Sequence, residues 1–240
     1  MTKISTVISY CSTEKRFINE CIKSAEEFSN KVIVTVGDHL FDGTPEDLSL
    51  INQNKKENPN AEFLLFSWKR GKPSRYWHNY GRYIGAKLVE DNCEWVLFLD
   101  ADEIINTEVF GEFYRCLSKD VYSYWLSSYW YFRERYYRAK QRENNSVLVQ
   151  SKYSTKFDLE KNEEREQLIN PKSLVDVMFN GTPLIHHYSW VRTKEEMTQK
   201  VKAWGHNKDK DWLSLIEEEF SRPFNGSCFV HTDYSFEILQ

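Results

Sequence analysis

Along the first hundred residues the apolar positions switch repeatedly between a period of two and a period near 3.6, the mark of strands alternating with helices. Residues 3–10 are β-branched and alternate in polarity, whereas Phe17, Ile18, Cys21, Ile22, Ala25 and Phe28 fall at helical spacing within 13–29. The run KVIVTV at 31–36, closed by Gly37, predicts a second strand. Thr44, Pro45 and Asp47 then form a helix start, with a cap, a first-turn proline and an acid at the third position. A strand at 62–66, a helix from about 76 to 90 and a strand at 95–99 follow. Residues 95–99 are apolar without interruption, so this strand reads as buried on both faces. Such alternation predicts a mostly parallel sheet covered by helices.

Beyond residue 103 the pattern changes. A helix is predicted at 107–118, then two strands from the aromatic and β-branched residues of 121–137. The stretch 151–180 is polar, carries the charge run 160–166, and predicts no clear element; a strand follows at 183–189. Thr193 and Glu196 make a capping box for a helix to about residue 207, and another helix begins near Asp211. No repeat and no linker-like break in composition interrupts the chain. The expectation is α/β: one domain over 1–240 with an elaborated C-terminal half.

Composition narrows the function classes. With 40% hydrophobic and 15% aromatic residues the chain can bury a core, and only 9 glycines and 6 prolines exclude fibrous and linker-dominated architectures. A net charge of −4 argues against broad attraction to nucleic acid. The five cysteines are odd in number and include no CxxC pair, so neither a disulfide framework nor a structural zinc site is expected. A reducing, cytoplasmic compartment fits that usage. No stretch approaches the roughly 20 apolar residues that cross a bilayer; peripheral association with a membrane stays open.

The sharpest chemistry lies in EWVLFLDADE at 94–103, where a buried strand delivers Asp100, Asp102 and Glu103 to its carboxyl end. In open α/β sheets ligands bind at that edge. Two carboxylates two residues apart can hold a hard divalent cation and leave positions for phosphate and water, although a solvated acidic turn would have the same spelling. The aromatic tract 122–137 offers flat apolar faces, so Trp125, Trp130, Tyr131 and, further on, Trp190 are candidates to line a sugar-binding surface, with core packing as the alternative. Among the cations, Arg82, Arg192, Lys194 and Lys200 are available for phosphate, and Arg192 is favoured for its bidentate fork.

These residues stand in an order that resembles the nucleotide-sugar glycosyltransferases of family 2 and their relatives with the GT-A fold. STVISYCSTEKRFINECIKSAEEFSNKVIVTVGDHLFDGTPED looks like that family's opening strand, helix, second strand and acidic loop. NYGRYIGAKLVEDNCEWVLFLDADE is similar to its small-residue helix and DxD strand, and IHHYSWVRTKEEMTQK at 185–200 to the histidine-containing segment of a bacterial and viral subgroup.

The resemblance implies a GT-A-like domain with a nucleotide-sugar-binding half at 1–103 and an acceptor-binding half at 104–240. It implies a hexosyltransferase-type activity, a nucleotide-diphosphate sugar donor, most simply a UDP-sugar, and Mn2+ or Mg2+. Asp102, assisted by Asp100, would hold the metal. Ser9, Tyr10, Cys11 and Asp38 would cradle base and ribose, although Gly37, Asp38 and His39 stand where the family carries an acidic pair. A histidine supplies a further ligand in the subgroup, and since adjacent strand residues point to opposite faces, His187, directly before tyrosine, is preferred over His186. Imidazole ligation favours manganese. Inverting transfer needs a carboxylate base, for which Asp176 and Glu103 are the candidates. A haloacid dehalogenase-like phosphatase, with Asp100 as nucleophile, and a non-catalytic carbohydrate-binding module are the competing readings.

Overall fold

The β-branched and apolar runs of the N-terminal half pair as parallel strands because each is followed by a helix that returns the chain to the same edge. The computed structural model describes residues 2–68, 71–203 and 209–239. It contains β1 (Ile4–Tyr10), α1 (Ile18–Glu26), β2 (Lys31–Gly37), α2 (Leu48–Glu57), β3 (Glu62–Phe66), α3 (Ser74–Ala86), β4 (Trp95–Asp100), β5 (Glu103–Ile105) and α4 (Thr107–Tyr114). The C-terminal half adds β6 (Ser123–Phe132), β7 (Glu134–Gln150), β8 (Leu174–Phe179), β9 (Thr182–Pro183), β10 (Ile185–Trp190), α5 (Lys194–Ala203), α6 (Trp212–Phe220) and β11 (Phe236–Ile238).

One mixed sheet runs β3-β2-β1-β4-β7-β6-β10-β5. Its first four strands are parallel, with Ser9 of β1 opposite Asp100 of β4. β7 is antiparallel to both β4 and β6, and β10 runs parallel to β6. The apolar run predicted to be buried on both faces is so: Trp95, Val96, Leu97, Phe98 and Leu99 are all buried. Helix α1 packs on one face of the sheet, while α3 sits unusually close on the other: a Cβ at Gly85 would lie 2.5 Å from Val7 Cγ1. That close approach brings Arg82, one turn earlier, over the end of β4.

Several predicted boundaries shift for identifiable reasons. Asp47, not Thr44, caps α2, accepting from the Ser49 and Leu50 amides, and Pro45 instead faces His39 in an isolated bridge. The second strand of the aromatic tract extends over 17 residues as β7, because beyond Tyr137 it goes on pairing with β6 and, at its far end, with β4. The capping box at Thr193 and Glu196 forms as predicted, with bonds of 2.9 and 3.3 Å; the expected continuation of that helix to residue 207 lies outside the described residues. The unreadable stretch 151–180 resolves into 3-10 turns and β8.

Candidate active site

A cleft of about 270 Å3 opens above the carboxyl ends of β1 and β4, where the strand order departs from the sequence order. Ser9, Tyr10 and Cys11 from β1, Asp100 and Asp102 from the β4 end, and His187 from β10 all line it. The Asp102 side chain is 6% exposed, with His187 Nε2 3.7 Å from Oδ1 and Lys200 Nζ 3.3 Å from Oδ2. His186 points to the other face and shares a 2.6 Å hydrogen bond with the Tyr131 phenol. Strand alternation has thus brought one histidine of the pair to the acidic end of β4.

The two aspartates sit in different ionic surroundings. Asp100 is gripped at Oδ1 by Arg82 (2.8 Å) and at Oδ2 by Arg165 (3.2 Å). Burial opposes its ionisation, but Arg165 and Arg82 outweigh that and hold the carboxyl well below the usual range. At Asp102 burial is likewise opposed by Lys200, His187 and Arg192, and the carboxyl stays ionised. His187 is raised to about 9, since the Glu143 and Asp102 carboxylates overcome the burial that disfavours its charge. Lys200 also meets Glu14 at 3.0 Å, and Arg192 pairs with the same carboxylate.

Some residues expected in the site serve as its frame. Arg82, fully buried, donates to Asp100 and Glu164 rather than facing a phosphate. Arg192, also buried, is spent on Glu14, the Thr13 carbonyl and the Ser189 carbonyl. Neither lines the cleft; Lys200, Arg75 and Arg165 do. Asp38 accepts from the Trp68 amide (2.9 Å) and bonds His39 Nδ1 (2.7 Å), so it shapes the loop whose His39 and Trp68 line the cleft. Tyr10 directs its phenol to Asn54 Oδ1 (2.7 Å). Burial pushes the Cys11 thiol up to about 12, which leaves it protonated.

Both base candidates stand outside the cleft. Glu103 is fully buried, taking two bonds from Arg165 at 2.6 and 2.8 Å, one from Ser146 and one from the Asp100 amide. It orients the β4 end and cannot reach an acceptor. Asp176 is exposed on β8, at positive φ (51°), where the pairing with β6 slips register. The aromatic acceptor wall is likewise absent: Trp130 and Trp190 are buried with α5 and α6, Tyr131 is buried under His186, and Trp125 packs against the core on the α3 side. Their flat faces go into packing, the commoner fate of such residues.

Other residues occupy the positions left open. Glu164 and Arg165, inside the charge run for which the sequence predicts no clear element, close over the end of β4. Phe41 stacks on His78 (3.9 Å, 7°) and Trp68 on Trp77 (5.2 Å, 11°), forming an aromatic slot at one end of the cleft. Ser9 Oγ and Trp77 Nε1 are buried there without a protein partner. The sequence offers one signal for the slot, the aromatic density of 66–80; the pairing of Glu164 and Arg165 with β4 leaves none.

No three His, Cys, Asp or Glu side chains among the described residues gather into a metal cage. Asp102 and His187 nevertheless fit a divalent cation as a two-donor site once the His187 imidazolium gives up its Nε2 proton to make way for the metal. Nδ1 of His187 is held by Glu143 (3.1 Å), which turns Nε2 toward Asp102, the arrangement by which carboxylates orient metal-binding imidazoles.

No family model matches the chain, and no curated protein matches it. Solved structures do. The inositol-1-phosphate CTP transferase from T. maritima aligns with a TM-score of 0.50 at 11% identity, over 91% of this chain and 98% of that one. The mannosyltransferase PcManGT from Pyrobaculum calidifontis, in complex with GDP-Man and Mn2+, aligns with a TM-score of 0.50 at 8% identity, over 91% and 74%. The fold is GT-A-like. At such identities the likeness carries the architecture common to nucleotidyl- and glycosyltransferases and does not extend to family 2. In this architecture the DxD strand is the fourth of the chain and both Asp100 oxygens are engaged by arginines, which removes the basis for a haloacid dehalogenase-like nucleophile.

Proposed function

We propose that this chain is a metal-dependent glycosyltransferase that moves a sugar from a nucleotide-diphosphate sugar to a carbohydrate hydroxyl. The observation that carries the reading is the pairing of Asp102 with a Glu143-oriented His187 at the carboxyl end of β4, beside Lys200. With Asp102 and His187 as protein donors, a bound cation would leave coordination positions for a diphosphate and water. Metal and nucleotide therefore bind as a unit. Asp102 and His187 Nε2 would hold Mn2+ or Mg2+, and the cation when bound supplies Lewis-acid stabilisation of the leaving diphosphate.

The chain's own groups take the other roles. The Lys200 ammonium, which lines the cleft while paired with Glu14 and Asp102, faces the same diphosphate. The slot of Phe41, Trp68, Trp77 and His78 accepts the flat base, and the unpartnered Ser9 hydroxyl is available to the nucleoside. A UDP-sugar remains the first donor to try.

Of the cleft-lining carboxylates, Glu14, Asp100 and Asp102 have both oxygens engaged by cationic side chains. Among the described residues Glu164 is engaged at Oε2, toward Arg82 (2.6 Å) and His78 (3.7 Å), and it offers Oε1 to the acceptor hydroxyl. Burial would raise its pKa, but His78 and Arg82 outweigh that and hold it at about 2, so it stands ionised, and its open oxygen in the cleft is what recommends it as base. Glu164 replaces Asp176 and Glu103 as the proposed base.

A nucleotidyltransferase shares this fold, yet a triphosphate asks for a cradle of backbone amides in a glycine-rich loop. The β1–α1 connection, Cys-Ser-Thr-Glu-Lys-Arg-Phe at 11–17, contains no glycine. The place of work is proposed to be the cytoplasm: all five cysteines are free thiols, and among the described residues no helix is long and apolar enough to cross a membrane. The test is incubation with UDP- and GDP-sugars with and without Mn2+. Metal-dependent release of the nucleoside diphosphate supports the reading; sugar binding without release in any combination would point to a non-catalytic module.

A further inference from the structure

The long strand β7 carries a largely buried carboxylate, Glu143, that holds His187 on one side and two C-terminal residues on the other. Glu143 is 14% exposed at its side chain, and both oxygens are engaged: Oε2 with His187 Nδ1 at 3.1 Å, Oε1 with His231 Nε2 at 3.0 Å. The Tyr234 phenol donates to Oε1 at 3.4 Å. His231 is itself fixed, stacked on Tyr234 (4.4 Å, 19°) and set edge-on against Trp130 (5.0 Å, 83°). Burying a carboxylate between two imidazoles carries a desolvation cost that an apolar residue would avoid. What the carboxylate does, and an apolar residue could not, is fix the ring of His187.

We propose that Glu143 is a positioning residue for metal binding, clamped by His231 and Tyr234 so that His187 presents Nε2 to Asp102. The proposal rests on the transferase reading and extends the site to residues 231–234, a segment remote from DxD in the chain. Its logic is geometric. An imidazole free to rotate about its side-chain bonds offers a donor in the right place only part of the time, whereas a ring held at one nitrogen offers the other continuously. His231 and Tyr234 fix the carboxylate in turn, which makes the C-terminal segment part of the metal site without contributing a ligand.

The experiment is a Mn2+ titration of the full chain in the presence of UDP, following free Mn2+ by electron paramagnetic resonance, for the wild type and for Glu143→Ala, Glu143→Gln and His231→Ala. Glu143→Ala is expected to weaken Mn2+ binding by roughly 10- to 100-fold. Glu143→Gln keeps an oxygen that accepts from Nδ1 and should recover most of that affinity. His231→Ala, acting from the far side of the carboxylate, should produce a loss in the same direction without touching His187. Wild-type affinity in both alanine variants overturns the proposal, as does an equal loss in Glu143→Ala and Glu143→Gln. If Glu143→Ala does not fold, His231→Ala and Glu143→Gln decide alone. A wild type that takes up no Mn2+ with UDP overturns the transferase reading and this inference together; one that does, beside unchanged variants, overturns this inference only.

Discussion

Lys200 sets its ammonium between two carboxylates, 3.0 Å from Glu14 Oε1 and 3.3 Å from the buried Asp102 Oδ2. The charge of Asp102 is therefore balanced before any ligand arrives, by Lys200 together with Arg192 and His187. This balance lets a nearly buried aspartate stay ionised at the mouth of the cleft, and it links the site's chemistry to its stability.

Removing Asp102 consequently has two effects that can be separated. Asp102→Asn should reduce metal-dependent nucleotide release at least ~100-fold, the scale for loss of a preorganised charge in a transition state. Asp102→Ala should do the same and also lower stability, because Lys200, Arg192 and His187 lose a buried partner; breaking such a pair costs about 3–5 kcal/mol. Steady-state rates with a denaturant melt of each variant check both parts. An alanine variant as stable as wild type would show that the cations relax into solvent.

Glu164→Gln removes the proposed base and keeps the side-chain volume. The expected outcome is a fall in turnover of roughly 100- to 10,000-fold, with the affinity for the nucleoside diphosphate within a few-fold of wild type. Single-turnover rates and calorimetric binding measure the two separately. An unchanged rate would remove Glu164 from the mechanism.

Arg165 joins the loop at 164–168 to the end of β4 through Asp100 and Glu103. Arg165→Ala leaves the fully buried Glu103 without its guanidinium and should cost about 3–5 kcal/mol, read as a lower urea midpoint. Glu103→Gln retains an acceptor for Arg165 and Ser146 and should cost less. The reverse order would contradict the assignment of Glu103 as a structural anchor.

His186 makes a pH-dependent contribution to stability. Burial, with help from Arg138 and Arg135, lowers it to about 4, against about 6.5 for a free histidine. The unfolded chain then binds the extra proton first, so stability falls as pH drops from about 6.5 to about 4 and is unaffected by this group above 6.5. The full loss is of order 3 kcal/mol. His186→Gln should flatten that part of the curve relative to wild type; identical slopes from pH 7 to 4 would place His186 outside the linkage.

The fold was legible where local pattern and tertiary role agree. The run 95–99 is uniformly apolar because both faces of β4 are covered, and the capping box at Thr193 works through bonds local to the helix start. The separation of His186 from His187 follows from strand alternation alone. Partnership across long sequence distances was not legible. Arg165 stands in a charge run that predicts no element, and nothing local links it to Asp100, 65 residues earlier. Arg192 and Arg82 carry phosphate-binding chemistry, yet the carboxylates of Glu14, Asp100 and Glu164 consume it. The tryptophans of the aromatic tract are flat enough for sugars, but nothing local distinguishes a ring that lines a cleft from one that fills a core.

The account turns on a nucleoside diphosphate supplying the coordination that Asp102 and His187 leave open. Its most direct test is calorimetric titration of the wild-type chain with UDP, and with GDP, in the absence and presence of Mn2+, alongside Mn2+ alone. The prediction is weak binding of each component by itself and binding at least tenfold tighter when the two are together. A nucleoside diphosphate bound equally well with and without Mn2+, or Mn2+ bound equally tightly without nucleotide, would contradict it.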